Sequence, residues 1–224
     1  MILRIKSPLS RKSLSDSVYD TLLENILSGG LAAGTDVNEV ALADALRVSR
    51  TPVHEAVGRL VKDGLIVQEP SRRLVIARFS REDVVEIYEM RRLLESDAAR
   101  RAARRIGEAP LRELRGEADA LDRARDASDW TPRALDFDLR FHDAIAAASG
   151  NRRLQGDIAR YRLLVRAFCR MTGTRENLIE ALSEHRAILA ALEARDSAEA
   201  ARLAALHVDQ RYKAVLNELF PEDA

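Results

Sequence analysis

The 224-residue chain has a single cysteine, Cys169, four histidines and no long apolar run. One cysteine excludes an internal disulfide and any cysteine-rich zinc module. No stretch approaches the ~18–20 apolar residues that span a bilayer, and Met1–Ser13 has no apolar core of a secretory signal; no membrane partner and a cytoplasmic location are expected. Net charge is missing too, because 36 Lys+Arg offset 36 Asp+Glu. Neutrality argues at first sight against nucleic acid, whose binders are usually basic. Residues 1–78 carry 11 basic and 9 acidic side chains and the remainder 25 and 27, so the split into +2 and −2 discriminates little.

Alanine and arginine are what the chain has in abundance. Of 35 alanines, 28 follow residue 97, and 32 of the 36 basic residues are arginine. Alanine is the best helix former, so the C-terminal two-thirds should be all-helical. With 46% hydrophobic and 32% charged residues, a packed core is expected and disorder is not. The length suits one large domain or two ordinary ones. There is no internal repeat and no low-complexity tract.

Residues 14–27 carry the helical stripe Leu14, Val18, Leu22 and Ile26, ended by Gly29–Gly30. A brief helix is expected around Glu39–Leu46. Ser49 then suits the cap of a third helix, with Pro52 in its first turn. In that helix Val53, Ala56, Val57, Leu60 and Val61 form one buried stripe, while Thr51, His54, Glu55, Gly58 and Lys62 lie opposite. Leu65–Glu69 and Leu74–Arg78, joined by Pro70–Arg73, suit a hairpin. Three helices and a two-stranded wing make a winged helix-turn-helix over 1–78, whose slim third helix fits a major groove about 12 Å wide. The side chains placed to meet DNA are Ser49, Arg50, Thr51 and His54, with Arg72 and Arg73 at the wing tip. The alternative is a winged helix that docks on protein with its arginines solvated.

From 79 to 224 the pattern predicts six helices, over Arg81–Arg105, Leu111–Ala127, Pro132–Ala148, Arg152–Met171, Glu176–Ala194 and Ala198–Leu219. Breaks fall at Gly107–Pro110, Trp130–Pro132, Gly150–Asn151, Gly173 and Asp196–Ser197. Short connections favour an antiparallel bundle, so the whole chain reads as mostly α. The fourth segment has an ordinary core stripe of Leu154, Ile158, Tyr161, Val165 and Phe168. Elsewhere polar side chains interrupt apolar stripes. Asp138 and His142, spaced i, i+4, sit among Leu135, Leu139, Ile145 and Ala146. His185 lies between Leu178, Leu182, Leu189 and Leu192, and His207 shares a face with Ala200, Leu203 and Ala214. Burying these four groups is expensive unless each finds a partner. A divalent metal ion would serve all four, with zinc first and nickel or manganese as alternatives. Each histidine taken singly also fits a hydrogen-bonded core residue. Arg91 and Glu95 fall on the inner stripe of Val84, Ile87, Leu94 and Ala98. They suit either an i, i+4 ion pair or an arginine reserved for the carboxylate of a small organic-acid effector.

The segment Asn38-Glu39, Leu42-Ala43, Val48-Ser49-Arg50-Thr51-Pro52-Val53, Glu55-Ala56, Arg59-Leu60 and Asp63-Gly64-Leu65 resembles the N-terminal domain of GntR-family bacterial transcription regulators. The family usually has arginine where His54 stands and glycine at the wing tip where Arg73 stands. These departures point to a nonstandard operator or weaker binding. Glu89-Met90-Arg91, Leu94-Glu95, Asp138, Phe141-His142, Ser149-Gly150-Asn151, Glu184-His185 and His207 are similar to the FCD-type effector domain of the FadR branch. The helix count resembles its VanR-like subgroup. The resemblance implies a metal held by Asp138, His142, His185 and His207, an effector carboxylate at Arg91, operator DNA, and a homodimer, most simply as a repressor. Two rival functions remain at this stage: a metal-dependent hydrolase or isomerase using the same metal, which lacks an evident general base beyond Glu95, and a pure metal sensor.

Overall fold

In the computed structural model, which describes residues 13–168 and 174–221, helix α1 (Leu14–Ser28) begins where Ser13 and Asp16 cap each other. Asn38 accepts from the Val40 and Ala41 amides to start α2 (Glu39–Leu46), and α3 (Arg50–Asp63) follows after a short turn. Strands β1 (Ile66–Gln68) and β2 (Leu74–Ile76) pair antiparallel, Val67 opposite Val75, as the expected wing. The wing has a fringe that periodicity did not reveal. Gly34 donates to Ile76, Val37 donates to Leu74 and Ile76 donates to Thr35, so residues 34–37 line the free edge of β2. Gly34 is left-handed (φ 82°), and a Cβ there would strike the Arg78 guanidinium.

Residues Val53, Ala56, Val57 and Leu60 of α3 are buried against Val18, Leu22 and Ile26 of α1. Val61, assigned to the same stripe, is exposed, because the stripe ends where α1 stops covering it. The packing is pinned at one side by Tyr19, whose hydroxyl donates to Asp63 at 2.7 Å. Arg59 lies over the Tyr19 ring and pairs with Asp16.

The chain divides between Arg78 and Phe79 into two compact units. The second is built from α4 (Arg81–Arg105), α5 (Glu108–Arg123), α6 (Trp130–Ala148), α7 (Arg152–Phe168), α8 (Arg175–Glu193) and α9 (Ser197–Leu219). These are the six expected helices. Helix α4 is the axis, packed against α6, α7, α8 and α9, while α5 rests on α6 and α8. The extension of the fourth segment to Met171, the break at Gly173 and Cys169 lie outside the described residues, as does the side chain of Phe168.

Two helix starts come earlier than the breakers suggested. Pro110 is the third residue of α5, where its missing N–H would be unpaired anyway. Trp130 opens α6, fully buried, and its Nε1–H donates to the Leu121 carbonyl at 2.8 Å. The inward face of α6 also differs from the expected one: Leu135 is 45% exposed, and Ala134, Phe137 and Phe141 take its place beside Ile145 and Ala146. Replacing Trp130 by Phe removes the shorter of two bonds to the Leu121 carbonyl, leaving it only the Ala124 amide at 3.2 Å. The expected loss is about 1–3 kcal/mol in urea unfolding; a change below roughly 0.5 kcal/mol, the range of neutral surface substitutions, would show that the bond is idle.

Candidate metal centre and nucleic-acid interface

In the helical unit, α6, α8 and α9 bring His142, His185 and His207 together, all three buried. One nitrogen from each ring lies within 4.8 Å of the others, and the ring centroids stand 4.7–5.2 Å apart. Phe141 stacks on His185 at 4.1 Å and closes that side with apolar surface. Asp138, one turn before His142, borders the cluster. Its Oδ1 is 3.6 Å from both His142 Nε2 and His185 Nε2, too far for a hydrogen bond. Those two nitrogens are buried and have no hydrogen-bond partner.

Three of the four corners, His142, His207 and Asp138, are braced by a carboxylate or arginine from a neighbouring helix. His142 Nδ1 lies 2.8 Å from Glu95, and Arg91 Nε donates to the other Glu95 oxygen at 2.7 Å. His207 Nδ1 lies 2.6 Å from Glu184, which accepts from Arg211 at 2.9 Å. Asp138 turns its second oxygen to Arg162 on α7, at 2.6 Å. With Nδ1 donating to a carboxylate, the Nε2 lone pairs of His142 and His207 are directed away from their braces.

Burial alone would raise the Glu95 carboxyl, but Arg91 and His142 outweigh it and hold it well below the usual range. Asp138 is likewise held well below its ordinary value against burial, first by Arg162 and then by His142. For His185, burial and then His207 keep the ring neutral, far below the ordinary imidazole value; burial and then His142 do the same for His207.

Of the predicted residues, Asp138, His142, His185 and His207 therefore meet. Arg91 is nearby but engaged: it is 3% exposed, paired with Glu95 and stacked over Tyr88 at 4.8 Å. The ion-pair alternative describes its geometry. Sequence reading missed Arg162, Arg211 and the roles of Glu95 and Glu184. The available signal was spacing, since Arg211 stands one turn after His207 and Glu184 directly precedes His185.

In the winged unit, Thr51, His54, Glu55, Gly58 and Lys62 form the exposed face of α3. Ser49 is the cap residue by backbone, yet its hydroxyl makes no capping bond. Arg50 and Arg72 are exposed and have no side-chain partner among the described residues. His54 is held by Glu39 at 3.0 Å. Arg73 is held by Glu69 at 2.8 Å and Asp36 at 3.3 Å. The left-handed residue of the wing tip, where a glycine would sit most easily, is Arg72 (φ 65°) rather than Arg73.

Neutral buried imidazoles make acid destabilising. In the unfolded chain they titrate near pH ~6.5, so below that value the unfolded state binds more protons than the native one. The metal-free protein should hold its full stability above about pH 6.5 and lose it on acidification toward pH ~5, by up to about 1.4 kcal/mol per group and pH unit. His185→Leu should flatten the slope. A urea midpoint constant across this window would mean that the native cluster takes up protons as readily as the unfolded chain.

Comparison with known proteins adds two family matches. Residues 14–76 match the model described as "Bacterial regulatory proteins, gntR family", and residues 86–210 match "FCD domain". An uncharacterized HTH-type transcriptional regulator of Agrobacterium vitis is 33% identical over 138 residues, covering 59% of this chain and 79% of that one. The uncharacterized HTH-type transcriptional regulator YdhC of Bacillus subtilis is 30% identical over 172 residues, 76% of each chain. A protein of Paenarthrobacter nicotinovorans described as a probable D-xylose utilization operon transcriptional repressor is 29% identical over 188 residues, 84% of this chain and 82% of that one. Among solved structures, E. coli McbR/YncC shares the fold with a TM-score of 0.76 at 23% identity, covering 92% and 98% of the two chains. These families and relatives are transcriptional regulators rather than enzymes, and no described helix is long and apolar enough to cross a membrane. The chain belongs to the GntR family of transcription regulators, with an FCD domain following its winged helix-turn-helix.

Proposed function

We propose that this regulator acts as a homodimeric repressor, with 1–78 binding operator DNA and 79–224 responding to a small organic acid at a divalent metal. The observation that carries the metal reading is the pair of buried, unpartnered Nε2 atoms of His142 and His185. Three imidazoles beside a carboxylate are a donor set suited to zinc, nickel or manganese. His142, His185 and His207 would hold the ion with Asp138. The ion would supply Lewis acidity at positions open to a carboxylate oxygen. Glu95 and Glu184 orient His142 and His207, and Arg91 fixes Glu95.

Charge favours an anionic effector. A divalent cation joins a buried group in which Arg91 and Arg162 offset Glu95 and Asp138, so two positive charges would stay uncompensated. The state of Arg91 favours a second reading, a sensor of the metal alone: it is buried and committed to Glu95 rather than free for a carboxylate. On the first reading the bundle must open for its effector. Helix α4 carries Arg91 and Glu95 and starts five residues after β2 ends, which gives a rearrangement at the cluster a short covalent route to the wing. At the DNA, Ser49, Arg50, Thr51 and Arg72 make the contacts. His54 and Arg73 act only after leaving Glu39 and Glu69.

Metal analysis tests the centre. Wild-type protein should bind close to one divalent ion per chain and His142→Ala none; equal metal content would sink the ligand assignment. Glu184→Gln should weaken zinc binding by roughly 10–100-fold while leaving the donor set intact. Citrate separates the two readings. It should raise the melting temperature of metal-loaded protein beyond the effect of metal alone if the site admits organic acids, and a panel of such acids without effect would favour the pure sensor.

A further inference from the structure

Three non-glycine residues among those described adopt the left-handed backbone conformation, and all are arginines: Arg47 (φ 54°), Arg72 (φ 65°) and Arg195 (φ 58°). A side chain makes this conformation unfavourable where glycine adopts it freely. Arg195 has an internal reason to be there. Its Nη1 donates to the Ile106 carbonyl at 2.7 Å and reaches the Ala103 carbonyl at 3.4 Å, capping the end of α4. At Arg47 and Arg72 the left-handed backbone closes a helix cap (Val48 N–H to Ala43) and the hairpin turn (Arg72 N–H to Glu69), bonds that a glycine would close as well and in which the side chains take no part. Both are exposed, and neither guanidinium has a partner among the described residues.

Arg47 ends α2 and occupies the turn into α3, three residues before Arg50, so their Cα atoms are within roughly 11 Å. Arg72 occupies the tip of the wing. Two other arginines of the unit are paired, Arg59 with Asp16 and Arg73 with Glu69 and Asp36. A glycine would hold either turn at less cost, so an exposed arginine at the turn of a helix-turn-helix and at a wing tip has its guanidinium free for a partner outside the chain.

We propose that Arg47 is a DNA-backbone contact, and that Arg47 and Arg72 clamp phosphates on either side of the α3 N-terminus, where Arg50 stands. This rests on the reading of 1–78 as the DNA-binding unit. The contacts are to phosphate rather than base, since both residues lie outside α3 and a guanidinium grips a phosphate bidentately. Binding through them is therefore independent of sequence.

The test uses the full-length protein and a mixed-sequence DNA duplex, with affinity measured against salt. Arg47→Gly removes the charge and relieves the backbone, so its melting temperature should stay level or rise. Its DNA affinity should fall roughly five- to tenfold at low salt, and the slope of log K against log salt should shrink by about 0.9, the value for one phosphate. Arg72→Gly should behave alike, and Arg47→Lys should restore most of the slope. An unchanged slope in both glycine variants overturns the clamp. A wild-type chain whose binding is itself flat against salt overturns the underlying DNA reading instead, and is recognised before any variant is made.

Discussion

The helical unit is organised by the cost of placing three imidazoles in its core. An unsatisfied polar atom buried there costs about 1–3 kcal/mol, and an ionised group much more without a partner. His142, His185 and His207 nevertheless occupy inward positions on three helices, each where a leucine would pack. The surrounding charges follow from that placement. Glu95 and Glu184 accept from two of the rings; Arg91 and Arg211 then keep those carboxylates from being stranded. Each of these two rings is thus followed outward by a carboxylate and then by an arginine. At the cluster itself, the Nε2 atoms of His142 and His185 are buried with no hydrogen-bond partner.

The same logic explains the preference for arginine. A lysine ammonium is a point charge, whereas the guanidinium presents several donors in a plane and can serve two acceptors at once. Arg211 uses this geometry to hold the Asn177 carbonyl together with Glu180 and Glu184, joining α8 to α9. Arg186 bridges Asp119 and Asp122, joining α8 to α5. In a bundle built of alanine, whose side chains bring helices close but cover little area, such forks add register between helices that smooth faces would leave loose.

Much of this was legible in the sequence because it is local. Asp138 and His142 interrupt an apolar stripe at i, i+4, and His185 and His207 stand alone in stripes of their own, so periodicity was enough to mark them. The braces were not legible. Arg162 meets Asp138 across 24 positions and Glu184 meets His207 across 23, pairings that depend on which helix faces which. Stripe edges failed for a related reason: Leu135 and Val61 lie where the periodic face reaches the limit of its covering helix. At the wing tip the hairpin was legible, but that Arg72 adopts the left-handed conformation was not. Arg91 was recognised as special. Whether it served a ligand or Glu95 depended on a distance that sequence does not contain.

Overall neutrality conceals two opposite uses of positive charge. In the helical unit, arginines at the cluster are matched to carboxylates, so they set geometry and contribute little field outside. In the winged unit, Asp16 pairs with Arg59, and Asp36 and Glu69 with Arg73, while Arg47, Arg50 and Arg72 have no partner among the described residues. A field that attracts DNA arises from unmatched charge at short range, because beyond about 10 Å salt screens the remainder. By holding Arg73, Glu69 and Asp36 leave Arg72 as the unpaired guanidinium at the wing tip, while Arg47 and Arg50 stay unpaired at the turn and the start of α3.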